Sequence, residues 1–185
     1  MRPIFLIGMM ACGKSTLGAA VAASGGPAFV DLDAETERMA GASVAGIFAT
    51  GGENAFAATE RRALAEVCGR TDVIVACGGG TPCRADNLEL MLGAGTVVWL
   101  RADTARIVER IMDAPADQRP LLSDIHGDAA ALTERIGGLM SERSPYYRRA
   151  HITFDTTHLD TVAEVAAAVA DFKALIANHG TPRTP

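Results

Sequence analysis

Gly8-Met9-Met10-Ala11-Cys12-Gly13-Lys14-Ser15-Thr16 fits the pattern G-x-x-x-x-G-K-[ST], and the residue types at these positions suit a bound polyphosphate. Gly8 and Gly13 let the backbone curl so that consecutive N–H groups, those around Ala11 and Cys12 included, point inward at phosphate oxygens. The Lys14 ammonium can reach β- and γ-phosphates, the Ser15 hydroxyl can ligate Mg²⁺, and Thr16 closes the motif. A helix starting near Lys14 adds its positive dipole end. The motif requires a strand before it and a helix after it. Ile4-Phe5-Leu6-Ile7 is an apolar run suited to a buried strand, and Leu17–Ala23 suits a helix. The chain is expected to bind a nucleoside triphosphate.

Other residues extend the chemistry. Asp31 and Asp33 fall at the end of a second strand, expected over Ala28–Leu32, where residues two apart share a face. Both carboxylates should then face the phosphate loop, one serving Mg²⁺ and the other taking a proton from an attacking hydroxyl. Gly78-Gly79-Gly80 ends a third strand and suits either close approach of a ligand to the backbone or a tight turn. Arg119 lies in a polar, Pro-containing stretch expected to be a mobile lid, from which a cation can swing over the γ-phosphate. Arg110 is placed to stack on adenine or to sit as a helix-end cation. Cys12 lies in a field that favours thiolate, although a small residue fitting the loop is the simpler reading. The histidines show no ligand spacing.

These residues need a scaffold. Strands are expected at Ile4–Ile7, Ala28–Leu32, Val73–Ala76, Thr96–Leu100 and His151–Phe154, alternating with helices. Continuous apolar runs and that alternation argue for an α/β fold with a parallel sheet buried on both faces. Helices at Ala34–Ala40, Ser43–Ala49 and Glu53–Cys68, broken by Gly51-Gly52, form an insertion over about 34–69. A length of 185 residues suits one domain over 1–179, with a lid about 113–127 and a disordered tail at 180–185. A net charge of −5 argues against nucleic-acid binding, and no apolar run is long enough to span a bilayer. The N-terminus enters a core strand at once, so a cytoplasmic location is expected, with the four cysteines as free thiols and the chain a monomer.

Taken together these residues resemble the shikimate kinase family, from Ile4 to about Asp155. The resemblance is carried by Gly8–Thr16, Phe29–Asp33, Ile47-Phe48, Gly52-Glu53, Phe56, Glu60, Gly78–Gly80, Arg119–Leu122, Arg143, Tyr147 and Ala150. It implies a P-loop kinase fold with a five-stranded parallel sheet flanked by helices, a substrate-binding helical insertion and a mobile lid. The implied reaction is ATP-dependent phosphorylation of the shikimate 3-hydroxyl, a step of aromatic amino-acid biosynthesis, with Mg²⁺ as cofactor. It assigns Lys14 and Arg119 to phosphate stabilisation, Ser15 and Asp31 to the metal, and Asp33 to the acceptor hydroxyl. Gly78, Gly79, Gly80 and Arg143 would contact the substrate.

One position departs from the family. Its pattern G-E-x-x-F-R-x-x-E carries an arginine where this chain has Ala57. In the family that arginine helps hold the substrate carboxylate, and losing one charge-assisted contact costs about 1.5–3 kcal/mol. Either another residue compensates or the acceptor is a different small polyol or sugar acid. Arg61, one helical turn on, is the candidate for compensation, and Arg62 points elsewhere. A GTP-dependent switch is disfavoured by the lack of an N-K-x-D motif, and a non-catalytic module by the presence of Lys14, Asp33 and Arg119 together.

Overall fold

The computed structural model describes residues 1–115, 122, 124, 125 and 127–180. Arg119 and most of the expected lid lie outside the described residues, as do residues 181–185.

The strands are β1 (Ile4–Ile7), β2 (Ala28–Asp31), β3 (Val73–Ala76), β4 (Thr96–Arg101) and β5 (Ile152–Asp155). They form a five-stranded sheet in the order β2-β3-β1-β4-β5, with every pairing parallel. The central strand β1 is buried along its whole length, which is why it has no polar alternation. Its side chains divide between two cores. Ile4 and Leu6 join Ile74, Val98 and Leu100 on one face, and Phe5 and Ile7 join Val73, Val75 and Val97 on the other.

The helices are α1 (Lys14–Ala23), α2 (Leu32–Ala40), α3 (Val44–Cys68), α4 (Asn87–Ala94), α5 (Thr104–Asp113), α6 (Ala129–Tyr147) and α7 (Val162–Gly180). On the first face of the sheet α1 packs with α7 and α5 with α6, while α2 packs on α3. The break expected at Gly51-Gly52 is present. Gly52 adopts φ 65° and ψ −166°, so α3 is two helical stretches joined at a kink. Arg38 and Arg70 both bond to Glu35 and to Glu66, tying α2 to α3. Those bonds hold the Glu35 carboxyl down at about 2.

Several boundaries differ from expectation, three of them with consequences or clear partners. β2 stops at Asp31, and Leu32 opens α2, because Asp31 caps that helix: the Asp33 N–H donates to Asp31 Oδ1 at 3.0 Å. Asp33 is therefore in a helical first turn, not on a strand, and the shared strand face expected for the two acids does not exist. β5 starts one residue late, at Ile152; His151 donates its N–H to the Val97 carbonyl at 3.0 Å, and its Nδ1 accepts the Val97 N–H at 3.0 Å. Gly180, placed in the tail by its sequence, is the last residue of α7. Among the described residues, no helix is long and apolar enough to cross a membrane.

Candidate active site

The phosphate loop leaves β1 and enters α1 through backbone that ordinary residues avoid. Gly8 has φ 141°, and a Cβ there would run into the Leu100 carbonyl. Gly13 has φ 92° and is the N-cap of α1, where a Cβ would run into Leu159. Ala11 is held at φ 59°, a left-handed conformation that costs an alanine energy. No side chain caps α1, so its first N–H groups remain free to meet an anion. They border a cavity of about 230 Å³ lined by Ala11, Gly13, Lys14, Ser15, Thr16 and Arg110. The Lys14 ammonium donates to the carbonyls of Gly8 at 3.0 Å and Met9 at 2.8 Å. The Cys12 thiol is fully buried against the core below, where its sulfur accepts a bond from the Lys14 ammonium at 3.7 Å.

Arg110 is not a loose helix-end cation. It donates to the carbonyls of Ala11 (3.3 Å), Thr156 (2.9 Å) and Thr157 (3.1 Å) and to the Asp160 carboxylate (2.6 Å). Its side chain is only 16% exposed. The guanidinium is thus fixed beside the phosphate cavity, bonded to the loop and to the 156–160 segment. A second groove continues from Thr16 and Arg110 along Ala114, Leu159, Val162 and Val165. Nothing in the sequence pattern singles out this apolar rim, although Val162, 89% exposed, is unusual for a valine.

The acids sit on the other side of the loop. The Ser15 hydroxyl donates to Asp31 Oδ2 at 3.3 Å, which places two hard oxygen donors at the mouth of the phosphate cavity. Asp33 opens toward solvent on one side, yet the protein around it strips water from its carboxylate. That desolvation, with the charges of Asp31 and Glu60, pushes its pKa up to about 6 despite the opposing pull of Lys14.

Gly78-Gly79-Gly80 turns the chain from β3 into a 3₁₀ turn at Thr81–Cys83, with the Thr81 N–H donating to the Gly78 carbonyl. The tight-turn reading of these glycines therefore holds. The position a Cβ would take on Gly78 is 3.6 Å from Asp33 Oδ1, and on Gly79 it is 3.0 Å from Arg143 Nη1 and 3.5 Å from the Gly8 carbonyl. The glycines thus form a floor between Asp33, the phosphate loop and Arg143. Tyr147, one turn beyond Arg143 on α6, is buried and donates its hydroxyl to the Gly79 carbonyl at 2.6 Å. Burial pushes the phenol pKa up and keeps it a donor.

Arg61 does not join this group. Its guanidinium makes two bonds to the Asp86 carboxylate, at 3.1 and 2.9 Å, and anchors α3 to the start of α4. Asp86, 25 positions away in sequence, is a partner that helical spacing alone cannot reveal. Beside Gly80, together with Arg143, lies Arg84, which sequence reasoning passed over.

Comparisons with known proteins agree with this geometry. The family model for shikimate kinase matches residues 10–173. A shikimate kinase of Parabacteroides distasonis is 37% identical over 165 residues, covering 89% of this chain and 94% of the relative. The crystal structure of Bacteroides thetaiotaomicron shikimate kinase superposes with a TM-score of 0.88 at 32% identity, covering 95% of this chain and 98% of that one. The Acinetobacter baumannii shikimate kinase in complex with shikimate gives 0.80 at 30% identity, over 98% and 96%. With a phosphate loop at the end of β1, a raised carboxyl and an arginine beside the same run of three glycines, and relatives that match almost end to end, the chain belongs to the shikimate kinase family.

Proposed function

We infer that this protein transfers the γ-phosphoryl group of ATP to the 3-hydroxyl of shikimate, giving shikimate 3-phosphate and ADP. The observation that carries the reading is the placement of Asp33 beside Gly78 and of Arg143 beside Gly79 and Gly80, on a glycine floor that itself abuts the phosphate loop. A hydroxyl at one end of a small ring and a carboxylate at the other match that polarity.

The triphosphate would lie over the first turn of α1, and Lys14 would exchange the Gly8 and Met9 carbonyls for β- and γ-phosphate oxygens. The adenosine would follow the groove past Arg110 toward Val162, with the pinned guanidinium offering its face to the base. Ser15 and Asp31, 3.3 Å apart at the cavity mouth, fit a Mg²⁺ ion that takes its remaining ligands from phosphate and water. When bound, that ion would neutralise charge on the phosphates. Arg119, outside the described residues, is assigned to the γ-phosphate from the sequence.

Asp33 would accept the proton of the acceptor hydroxyl as the oxygen attacks the γ-phosphorus and the bond to the β-bridging oxygen breaks. A pKa of about 6 suits that task, for the group is ionised at neutral pH yet basic enough to take a proton. A coupled assay of ADP release with shikimate, quinate, gluconate and neutral sugars tests the reading. Shikimate should give the highest kcat/KM. A neutral polyol that matches it would overturn the proposal.

A further inference from the structure

Arg84 follows the 3₁₀ turn and sends its side chain across the site to α3. Its guanidinium donates to Glu60 at 3.1 Å and to Glu53 at 3.2 Å, and lies 5.4 Å over the ring of Phe56. Those three residues stand on either side of Ala57 in the chain. The nitrogen that bonds Glu60, Nη1, also lies beside the glycine floor. The position a Cβ would take on Gly80 is 3.7 Å from Arg84 Nη1 and 3.9 Å from Arg143 Nη2. Two guanidinium groups, one from α6 and one from the loop before α4, thus converge on a single glycine.

We propose that Arg84 is a substrate-binding residue of this chain: with Arg143 it forms a two-armed seat for the carboxylate of the acceptor, the work that the family's arginine at position 57 would otherwise do. This rests on the shikimate reading above. Three features fit the role. Glu60, only 1% exposed, and the Phe56 ring hold the guanidinium in place, so little freedom is lost when a ligand binds. Arg84 has five N–H donors and gives the acids one bond each, leaving donors for a ligand. The Glu53 partner is 73% exposed, a weak surface pairing that a substrate carboxylate can displace. Gly78, beside Asp33, and Gly80, beside both guanidinium groups, are two residues apart and so at most roughly 7 Å apart along the backbone. That is the scale of a six-membered ring with its substituents.

The test compares shikimate with its neutral methyl ester in the wild type and in Arg84→Ala, measuring kcat and both KM values. Arg84→Ala should raise the KM for shikimate about ten- to a hundred-fold and leave that for ATP unchanged. The preference for acid over ester should fall by the same factor, because an ester makes no charge-assisted bond. Adding Ala57→Arg to Arg84→Ala should restore the preference, and Arg61→Ala should not disturb it. A purely structural Arg84 would lower acid and ester turnover together and leave their ratio unmoved, which would overturn the proposal. Should removal of the partner of buried Glu60 prevent folding, Arg84→Gln, which can still donate a hydrogen bond to Glu60 but carries no charge, should show the same fall in the ratio. A wild type that turns over both compounds equally refutes the carboxylate seat. A wild type with no shikimate turnover refutes the functional reading itself, and Arg84 falls with it.

Discussion

Asp33→Asn should abolish catalysis and make the protein more stable. The carboxyl sits at about 6 instead of 3.8, chiefly because the site desolvates it and because Asp31 and Glu60 stand nearby. A shift of that size corresponds to a ceiling of about 3 kcal/mol. The side chain is exposed on one side, so solvent screening reduces the expected effect to roughly 1 kcal/mol. The sign follows from proton linkage. A raised carboxyl pKa favours the folded state below 3.8, and that contribution is lost as pH rises to about 6. Above pH 6 the wild type carries the full cost of an ionised Asp33, which asparagine lacks. For a chain of this size, Tm at pH 7.5 should rise by about 2–4 °C in the variant. The gain should shrink toward zero between pH 6 and pH 4. Turnover should fall by at least about 10²-fold, the usual range for a lost general base, with the KM for ATP within roughly two-fold. Thermal melts across pH 4–8 with steady-state kinetics check both halves. A variant that keeps most of its turnover, or that is less stable than wild type at pH 7.5, would refute the argument.

Gly79→Ala should raise the KM for shikimate by about an order of magnitude while sparing the ATP site, because the new methyl would sit 3.0 Å from Arg143 Nη1 and push it aside; kinetics with each substrate varied in turn would show it, and an unchanged shikimate KM would count against the glycine floor. Arg61→Ala should leave both KM values within roughly two-fold and cost at most about 1 kcal/mol of stability, since it breaks a partly exposed pair with Asp86. Glu35→Gln should lose its stability deficit on acidification: the wild-type carboxyl, held at about 2, contributes above pH 4.5 and loses that contribution as pH falls toward 2, so melts at pH 7 should differ more than melts at pH 3. Cys12 is fully buried, so it should react with iodoacetamide more slowly than Cys68 or Cys83 despite its place in the phosphate loop, as peptide mass spectrometry would show.

The phosphate loop and the parallel sheet were legible in the sequence because each is a local pattern. Gly8, Gly13 and Lys14 stand within one turn, and Ile4–Ile7 or Val73–Ala76 are unbroken apolar runs. The neighbourhood of Asp31 and Asp33 was anticipated, but by a mistaken route. Their common location comes from an aspartate capping a helix, where Asp31 holds the Asp33 N–H, and strand alternation plays no part. Period-two reasoning fails wherever a capping residue ends the strand early. Arg84 was invisible because its partners, Glu53, Phe56 and Glu60, are 24 to 31 positions away and meet it only after β3 and α3 have packed. Arg61 attracted attention through helical proximity to Ala57, yet the long-range partner Asp86 claims it. Local spacing locates the reacting groups, while the choice between two nearby arginines is made by tertiary contacts.

The central claim is phosphoryl transfer to a specific hydroxyl, and ³¹P and ¹H NMR of the product mixture tests it most directly. Incubation of the protein with ATP, Mg²⁺ and shikimate should give ADP and one phosphomonoester, coupled to the proton on carbon 3 of the ring. Omitting shikimate should leave the ATP largely intact. Appearance of inorganic phosphate alone, a phosphoester at another hydroxyl, or unchanged shikimate beside consumed ATP would contradict the account.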